Sequence, residues 1–563
     1  MSLSSARYTH QTQPSRVFIL LSAFVMLWCL MPMQAYAVGS SAGALSDPAG
    51  TGKPNKDNNP ALSDLSTRIF IHGYYRLRSN IFHNFDLGRG PTPSTKQTIF
   101  PKSPSGASTL YSSDMRFRTE ITFEIARSVR VITRIDALDN LVLGSTPMGF
   151  PRDSQIPMIA ATQGQTPPSA GFNSVTDSIR IKRAYGEVLL PIGYVMAGRM
   201  GALAPWGLGM LVQGGNRLDA DNGDAADRIT LVLPAVGHLW MVAYELSASG
   251  PVVALPNQAP VDQEPHDGVR SWGFAVARYD SPEGVERKLR AGWSVLNYGL
   301  IASYRYQDLD APNTYINLPD QKPIQRGDLI DRGAWSLIFD FWFLFRRPWL
   351  RIELEAVYAK AEIRNGSLIP GVNLTKPVTS DQFGGVLQVA VSPLNSRWGF
   401  GLEFGLASGD SAPGFGVRAP NNQVRTVKGD MDGPQLNYPK DTASNNLRFH
   451  PDYRVDQIFW RRIVGQVTDA IYVKAAGHFD LTPRTRLWTS VIYSRAMEAS
   501  TPPGGVADLG VEWDTGIRYE YDPGFEFRLV FGAFFPFAGL HNPALTLNAT
   551  SAFSVSTVLG YVF

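Results

Sequence analysis

The chain has little of what most folds and functions need. A single cysteine, Cys29, stands in 563 residues, so no disulfide framework is available. Beyond residue 37 no apolar run reaches the roughly 18 residues of a spanning helix, and the mean hydropathy is −0.10. A helical membrane protein is therefore excluded. The net charge is +3 and no basic tract suits nucleic acid. No G-x-S-x-G or H-E-x-x-H motif occurs. The histidines His72, His83, His238, His266, His450, His478 and His541 are scattered along the chain, which argues against an enzyme, and nothing asks for a cofactor. Charged residues are only 18%, whereas Gly (52), Pro (40) and aromatics (11%) are plentiful. That balance suits many strands joined by turns.

The first 37 residues read as a signal peptide. Arg7 and Arg16 form a positive n-region, residues 17–31 an apolar h-region, and Ala35-Tyr36-Ala37 a cleavage site. Trp28 precedes Cys29 where a lipoprotein signal has a small residue, so lipid attachment is not expected. Residues 38–66, rich in Gly, Ser, Ala, Pro, Asn and Asp, read as a disordered periplasmic leader too short for a folded plug domain. Residues 67–563 are the expected barrel.

What is abundant is period-two alternation. In the closing stretch, Phe553, Val555, Thr557, Leu559, Tyr561 and Phe563 share one face, and small residues share the other. In a second stretch, Met115, Phe117, Thr119, Ile121 and Phe123 oppose Arg116, Arg118, Glu120, Thr122 and Glu124. Strict alternation over a dozen residues is a half-buried strand. About eighteen such segments follow one another, with connections alternating short and long. The ninth is read over residues 287–305. A transmembrane antiparallel up-and-down β-barrel, all-β, produces this pattern, with short periplasmic turns and long outer loops.

If the apolar face meets lipid, the charged face lines a lumen. Expected pore-lining residues are Arg76, Arg78, Arg116, Arg118, Arg134, Arg199, Asp340, Glu353, Glu355, Glu512 and Asp514. Arginines dominate the first five strands. The third long loop, residues 202–226, begins with Trp206 among glycines and then carries Asp219, Asp221 and Asp224, with Asp227 next door. Folded inward, it would set carboxylates across from the arginine wall as a constriction. Calcium is the competing reading, but D-x-D-N-G-D-x-x-D does not match the EF-hand spacing. The seventh loop, residues 409–465, is the longest and contains Phe459-Trp460-Arg461-Arg462-Ile463-Val464. It is readable as a lid, a plug or a strand extension.

Trp206-Gly207-Leu208-Gly209 after Gly198-Arg199, and Ala407-Ser408-Gly409-Asp410, resemble elements of alginate-export-type and related porin barrels. Residues 138–147, Asp227-Arg228 and Phe449-His450-Pro451-Asp452-Tyr453 resemble an uncharacterised family of large delta-proteobacterial outer-membrane proteins over nearly the whole chain. The second resemblance implies fold and a bacterial outer-membrane location, and no substrate. No dense arginine and lysine ladder suited to a polyanion conduit is present. The expected function is a porin-like channel for passive diffusion of small hydrophilic solutes. The alternatives are a selective conduit for an anionic saccharide or polysaccharide, and a closed barrel acting as surface scaffold or adhesin. Expected partners are outer-membrane lipids, lipopolysaccharide and the barrel-assembly machinery, the last through the strand ending at Phe563.

Overall fold

The computed structural model describes residues 67–126, 128–143, 178–201, 207–257, 259–311, 324–394, 396–418, 425–521 and 524–563. The expected signal peptide and leader lie outside them, as do Trp206 and most of the second long loop.

The chain enters the barrel with β1 (Arg68–His83), β2 (Thr109–Ala126), β3 (Val129–Val142), β4 (Ile179–Leu190), β5 (Gly193–Gly201), β6 (Ala225–Ala235) and β7 (His238–Ala248). A small hairpin, β8 (Val252–Ala254) with β9 (Pro260–Asp262), sits in the connection that follows and pairs only with itself. The wall resumes with β10 (Val269–Arg278), β11 (Val295–Asp310), β12 (Ile330–Arg346), β13 (Leu350–Ile363), β14 (Val378–Val391) and β15 (Trp398–Ala407). It ends with β16 (Ala470–Thr482), β17 (Thr485–Arg495), β18 (Asp508–Tyr521), β19 (Phe525–Pro536) and β20 (Ala552–Val562).

Each wall strand pairs antiparallel with its neighbours in sequence, and β20 pairs with β1 (Arg76↔Gly560, Leu77↔Leu559), which closes an 18-stranded barrel. Beyond the last rung, the Phe563 amide donates to the Gly73 carbonyl (3.0 Å) and the Gly73 amide donates back (2.9 Å). Closure leaves no strand edge unpaired, which a hydrocarbon surround requires.

The alternation settles which face meets what. On β12, Ser336, Ile338, Asp340 and Trp342 point inward and are buried, while Phe339 and Phe341 point outward. Outward residues such as Phe400 on β15 are 62% exposed on the protein itself. A water-soluble protein does not leave a continuous belt of such residues bare. Among the described residues no helix is long and apolar enough to cross a membrane; this chain crosses with strands. The belt, the closed edge and the mostly alternating short and long connections make it an outer-membrane β-barrel.

One segment departs from the alternation reading. Residues 282–290 form a helix, α1 (Pro282–Arg290), rather than the start of the ninth wall strand, which begins at Val295. Ser281 caps it by accepting from the Gly284 amide (3.1 Å), Pro282 opens it, and Arg287, Lys288 and Arg290 occupy its last turn. Those are the start and stop signals of a helix, and they outweigh the weak alternation of the same residues. α1 lies at the rim of the short connections.

Phe339 stands near the middle of the 17-residue β12. Phe339→Arg is expected to cost about 2–4 kcal/mol in urea unfolding from lipid vesicles. An unchanged midpoint would contradict the outward assignment.

Candidate functional site

The inward faces of β1 to β4 carry an arginine wall. Arg76, Arg78, Arg116, Arg118, Arg134 and Arg183 are all under 9% exposed, with Arg76 fully buried. Buried guanidiniums require partners. Neighbouring strands supply some of them. Arg78 Nε donates to Asp114 (3.0 Å), Arg116 Nε to Asp139 (2.6 Å), Arg134 Nε to Glu120 (2.7 Å), and Arg118 makes two 2.6 Å bonds to Asp136.

The loop 202–224 supplies the rest. Its residues 207–224 fold inward and lay their backbone along the wall. Arg76 donates to the carbonyls of Leu218 (3.2 Å) and Ala220 (3.3 Å), and Arg116 donates to Ala220 (2.5 Å). Arg118 donates to Gly215, and Arg134 and Arg183 both donate to Gly214 and to Asn216 Oδ1. Arg78 reaches the carboxylates of Asp219 (3.1 Å) and Asp221 (2.9 Å). Leu218 packs on Tyr74 and Val558 at the β20–β1 seam. It occupies the space that a Cβ on Gly560 would need, 2.3 Å from Leu218 Cδ2. The small face of the terminal strand thus makes room for this loop.

The loop 408–469 enters the same lumen beside it. Phe459 stacks on Phe534 of β19 (4.9 Å, 12°), and Trp460 Nε1 donates to Ser494 of β17 (2.9 Å). Tyr453 OH and the wall residue Tyr472 both donate to Glu403 (2.9 and 2.7 Å). Of the three readings open for this loop, insertion inside the wall is the one these contacts match. The two loops also grip each other. Arg454 and Arg461 pair with Asp219, Asp452 accepts the amides of Asp221 (3.0 Å) and Asn222 (2.6 Å), and the His450 amide donates to Met210 (2.7 Å).

Wall carboxylates hold both loops by their backbones. Glu355 accepts four consecutive amides, those of Leu208 (2.5 Å), Gly209 (2.9 Å), Met210 (3.1 Å) and Leu211 (3.3 Å). A side chain at Gly207 would meet Glu355, since a Cβ there lies 2.3 Å from Oε2. Glu512 accepts from Gln457 (2.9 Å), Ile458 (2.7 Å) and Phe459 (3.0 Å).

Burial alone would raise the carboxyls of Asp219 and Asp221. The surrounding guanidiniums outweigh it, chiefly those of Arg461 and Arg454 at Asp219 and of Arg78 at Asp221, so both stay well below the usual carboxylate range. Their oxygens are spent on arginine. Among the described residues no group of three or more His, Asp and Glu is placed to hold a metal ion.

Of the expected pore residues, Arg76, Arg78, Arg116, Arg118, Arg134, Asp340, Glu353, Glu355, Glu512 and Asp514 point inward and are buried. Arg199 does not. It pairs in register with Ala184 and Asp227 on the outward face, where it makes a bidentate bond to Asp227 (2.8 and 2.7 Å). Asp227 is accordingly a residue of β6, outside the inward loop. The inward residues of β5 are Met196 and Met200, so the polar-in, apolar-out rule is inverted near its outer end. Asp224 sits inside the loop, accepting from the Gln213 amide (2.9 Å) and facing His450. Trp206 lies outside the described residues. Asp452, Tyr453 and Arg454 were missed as site residues, although the Phe-His-Pro-Asp-Tyr motif had marked the segment.

Below the loops, at the short-connection rim, lies a cavity of about 670 Å3. Gly207, Leu208, Arg217, Tyr453 and Arg454 form its roof, β11 to β14 its wall, and α1 its lip.

No family model matches the chain, and no curated protein matches it. Several solved structures are similar. They include OccK9 (OpdG) of Pseudomonas aeruginosa (11% identity, 88% of this chain, 98% of that one, TM-score 0.43). Others are a BenF-like porin from Pseudomonas fluorescens Pf-5 (9%, 88%, 98%, 0.42) and the outer membrane channel DcaP of Acinetobacter baumannii (8%, 88%, 97%, 0.34). The barrel assignment stands on its own closure and outer belt.

Glu355→Ala leaves four amides without an acceptor, and is expected to speed hydrogen exchange at residues 208–211 roughly ten- to hundredfold while the wall strands keep their protection. Unchanged exchange there would remove Glu355 as the tether. Acidification acts elsewhere. Carboxylates held below their unfolded value of about 3.9 stabilise the fold above that pH, and lose the contribution only as pH falls through the lower folded value. Protection at residues 218–222 should therefore be the same at pH 7 and pH 5; loosening between those values would contradict the pairing.

Proposed function

We propose that the protein is a porin-like channel for small hydrophilic solutes whose lumen is narrowed by the loops 202–224 and 408–469. One observation carries this reading. The barrel interior is charged along β1 to β4, and beside an apolar cluster that includes Met210, Phe449, Phe459 and Trp460 the loops meet that charge through polar contacts to arginine and carboxylate. The polar contacts on the β1 to β4 side can part and re-form in water, while the apolar cluster keeps the loops anchored inside the wall. The surplus of arginine on β1 to β4 favours anions over cations in the gaps. Lipid surrounds the belt in this reading, lipopolysaccharide surrounds the outer rim, and the assembly machinery engages the strand ending at Phe563. The residue resemblance would place the chain with the uncharacterised family of large delta-proteobacterial outer-membrane proteins.

A second reading, a closed barrel acting as surface scaffold, is favoured by one fact: Arg76 and Arg116 are 0% and 1% exposed. A wall so covered conducts nothing at that level until the loops shift.

Planar-bilayer recording separates the two. The full barrel is expected to give small steps, and replacing residues 446–465 by a short Gly-Ser linker should raise the conductance severalfold. A silent wild type whose shortened variant is equally silent, with both still heat-modifiable on gels, would sink the channel and leave the scaffold.

A further inference from the structure

The cavity at the short-connection rim has a chemistry of its own. Its acids already have partners. Glu353 accepts from Trp342 Nε1 (2.8 Å) and pairs with Arg351, Asp280 pairs with Lys288 of α1 (2.7 Å), and Glu286 pairs with Arg290 (2.5 Å). Two of its arginines do not. Arg217, from the inward loop, and Arg346, at the end of β12, are exposed into the cavity and form no ion pair with any described residue. Two unpaired guanidiniums in the lining of one half-open cavity leave it electropositive. Tyr279, half-buried in the same lining and backed by the buried Trp342 (6.1 Å, 40°), offers a ring face. At about 670 Å3 the cavity lies in the size range of small-molecule sites.

We infer that this cavity is a periplasm-facing binding site for an organic anion that carries a ring, with Arg217 and Arg346 holding the charge and Tyr279 the ring. The inference rests on the channel reading only for the role of such a ligand in transport; binding itself needs no open pore. Because Gly207, Leu208, Arg217, Tyr453 and Arg454 form the roof, the site belongs to both inward loops, and an occupant contacts the elements that narrow the lumen.

Calorimetry on the full barrel in detergent tests it with three probes: cyclohexanecarboxylate, its neutral amide, and acetate. The ring carboxylate is expected to bind at least about tenfold tighter than either the amide, which lacks the charge, or acetate, which lacks the ring; tenfold is about 1.4 kcal/mol. The double variant Arg217→Gln/Arg346→Gln, heat-modifiable like the wild type, should lose at least about tenfold for the carboxylate and nothing for the amide. Equal affinity for acid and amide, or undiminished binding in the double variant, would overturn the site. Binding without any conductance would sink the channel and keep the site, and conductance without binding would do the reverse.

Discussion

Everything inside this barrel follows from the need to pair buried guanidinium groups. An 18-stranded wall encloses more space than its own side chains fill, and β1 to β4 point six arginines into that space. Wall carboxylates neutralise part of that charge. The remaining N–H groups need acceptors, and the backbone carbonyls of residues 214–220 provide them. A buried charge without a partner is strongly destabilising, so the inward position of the loop 202–224 and the existence of the arginine wall require each other.

The second loop depends on the first. Asp219 is shared by Arg78 of the wall and by Arg454 and Arg461 of the loop 408–469, so one carboxylate ties three parts of the chain together. The opposite wall uses the complementary device. There the fixed acceptor is a carboxyl side chain, Glu355 or Glu512, and a run of successive backbone amides from a loop converges on it. Arginine meets carbonyls on one side of the lumen and carboxylate meets amides on the other. The filling thus combines these polar ties with one apolar cluster around Phe449, Phe459 and Trp460, and it is the polar side, along β1 to β4, that the channel reading depends on.

Alternation made the wall legible. β2 and β12 have a charged or small face opposite a large apolar one, and membrane outside with polar lumen inside is the arrangement that pattern encodes. Arg199 was not legible, because β5 reads Gly-Tyr-Val-Met-Ala-Gly-Arg-Met-Gly and has no second charge to fix its parity; only the register with Ala184 and Asp227 sets its face. α1 was hidden by an alternation its capping residues override. The inward path of the loop 202–224 was suggested by its acids, but their direct pairing with arginine, in place of a field across open water, depends on distances no sequence carries. The same is true of Asp452 and Arg454, whose partners are more than 200 positions away.

The central claim is that the two loops occupy the lumen of the folded barrel. Gln457, at the heart of the longer loop, has its Cβ 3.2 Å from where a Cβ on Gly532 of β19 would stand. That is close to the spacing a disulfide needs, about 3.5–4.5 Å. Cys29 is the only native cysteine, so the double variant Gln457→Cys/Gly532→Cys can be oxidised in intact outer membranes and followed by gel mobility without competing thiols in the barrel. The account predicts near-complete cross-linking of the heat-modifiable form. No cross-link in a correctly folded barrel, with both cysteines open to a membrane-impermeant maleimide, would place the loop outside and contradict it.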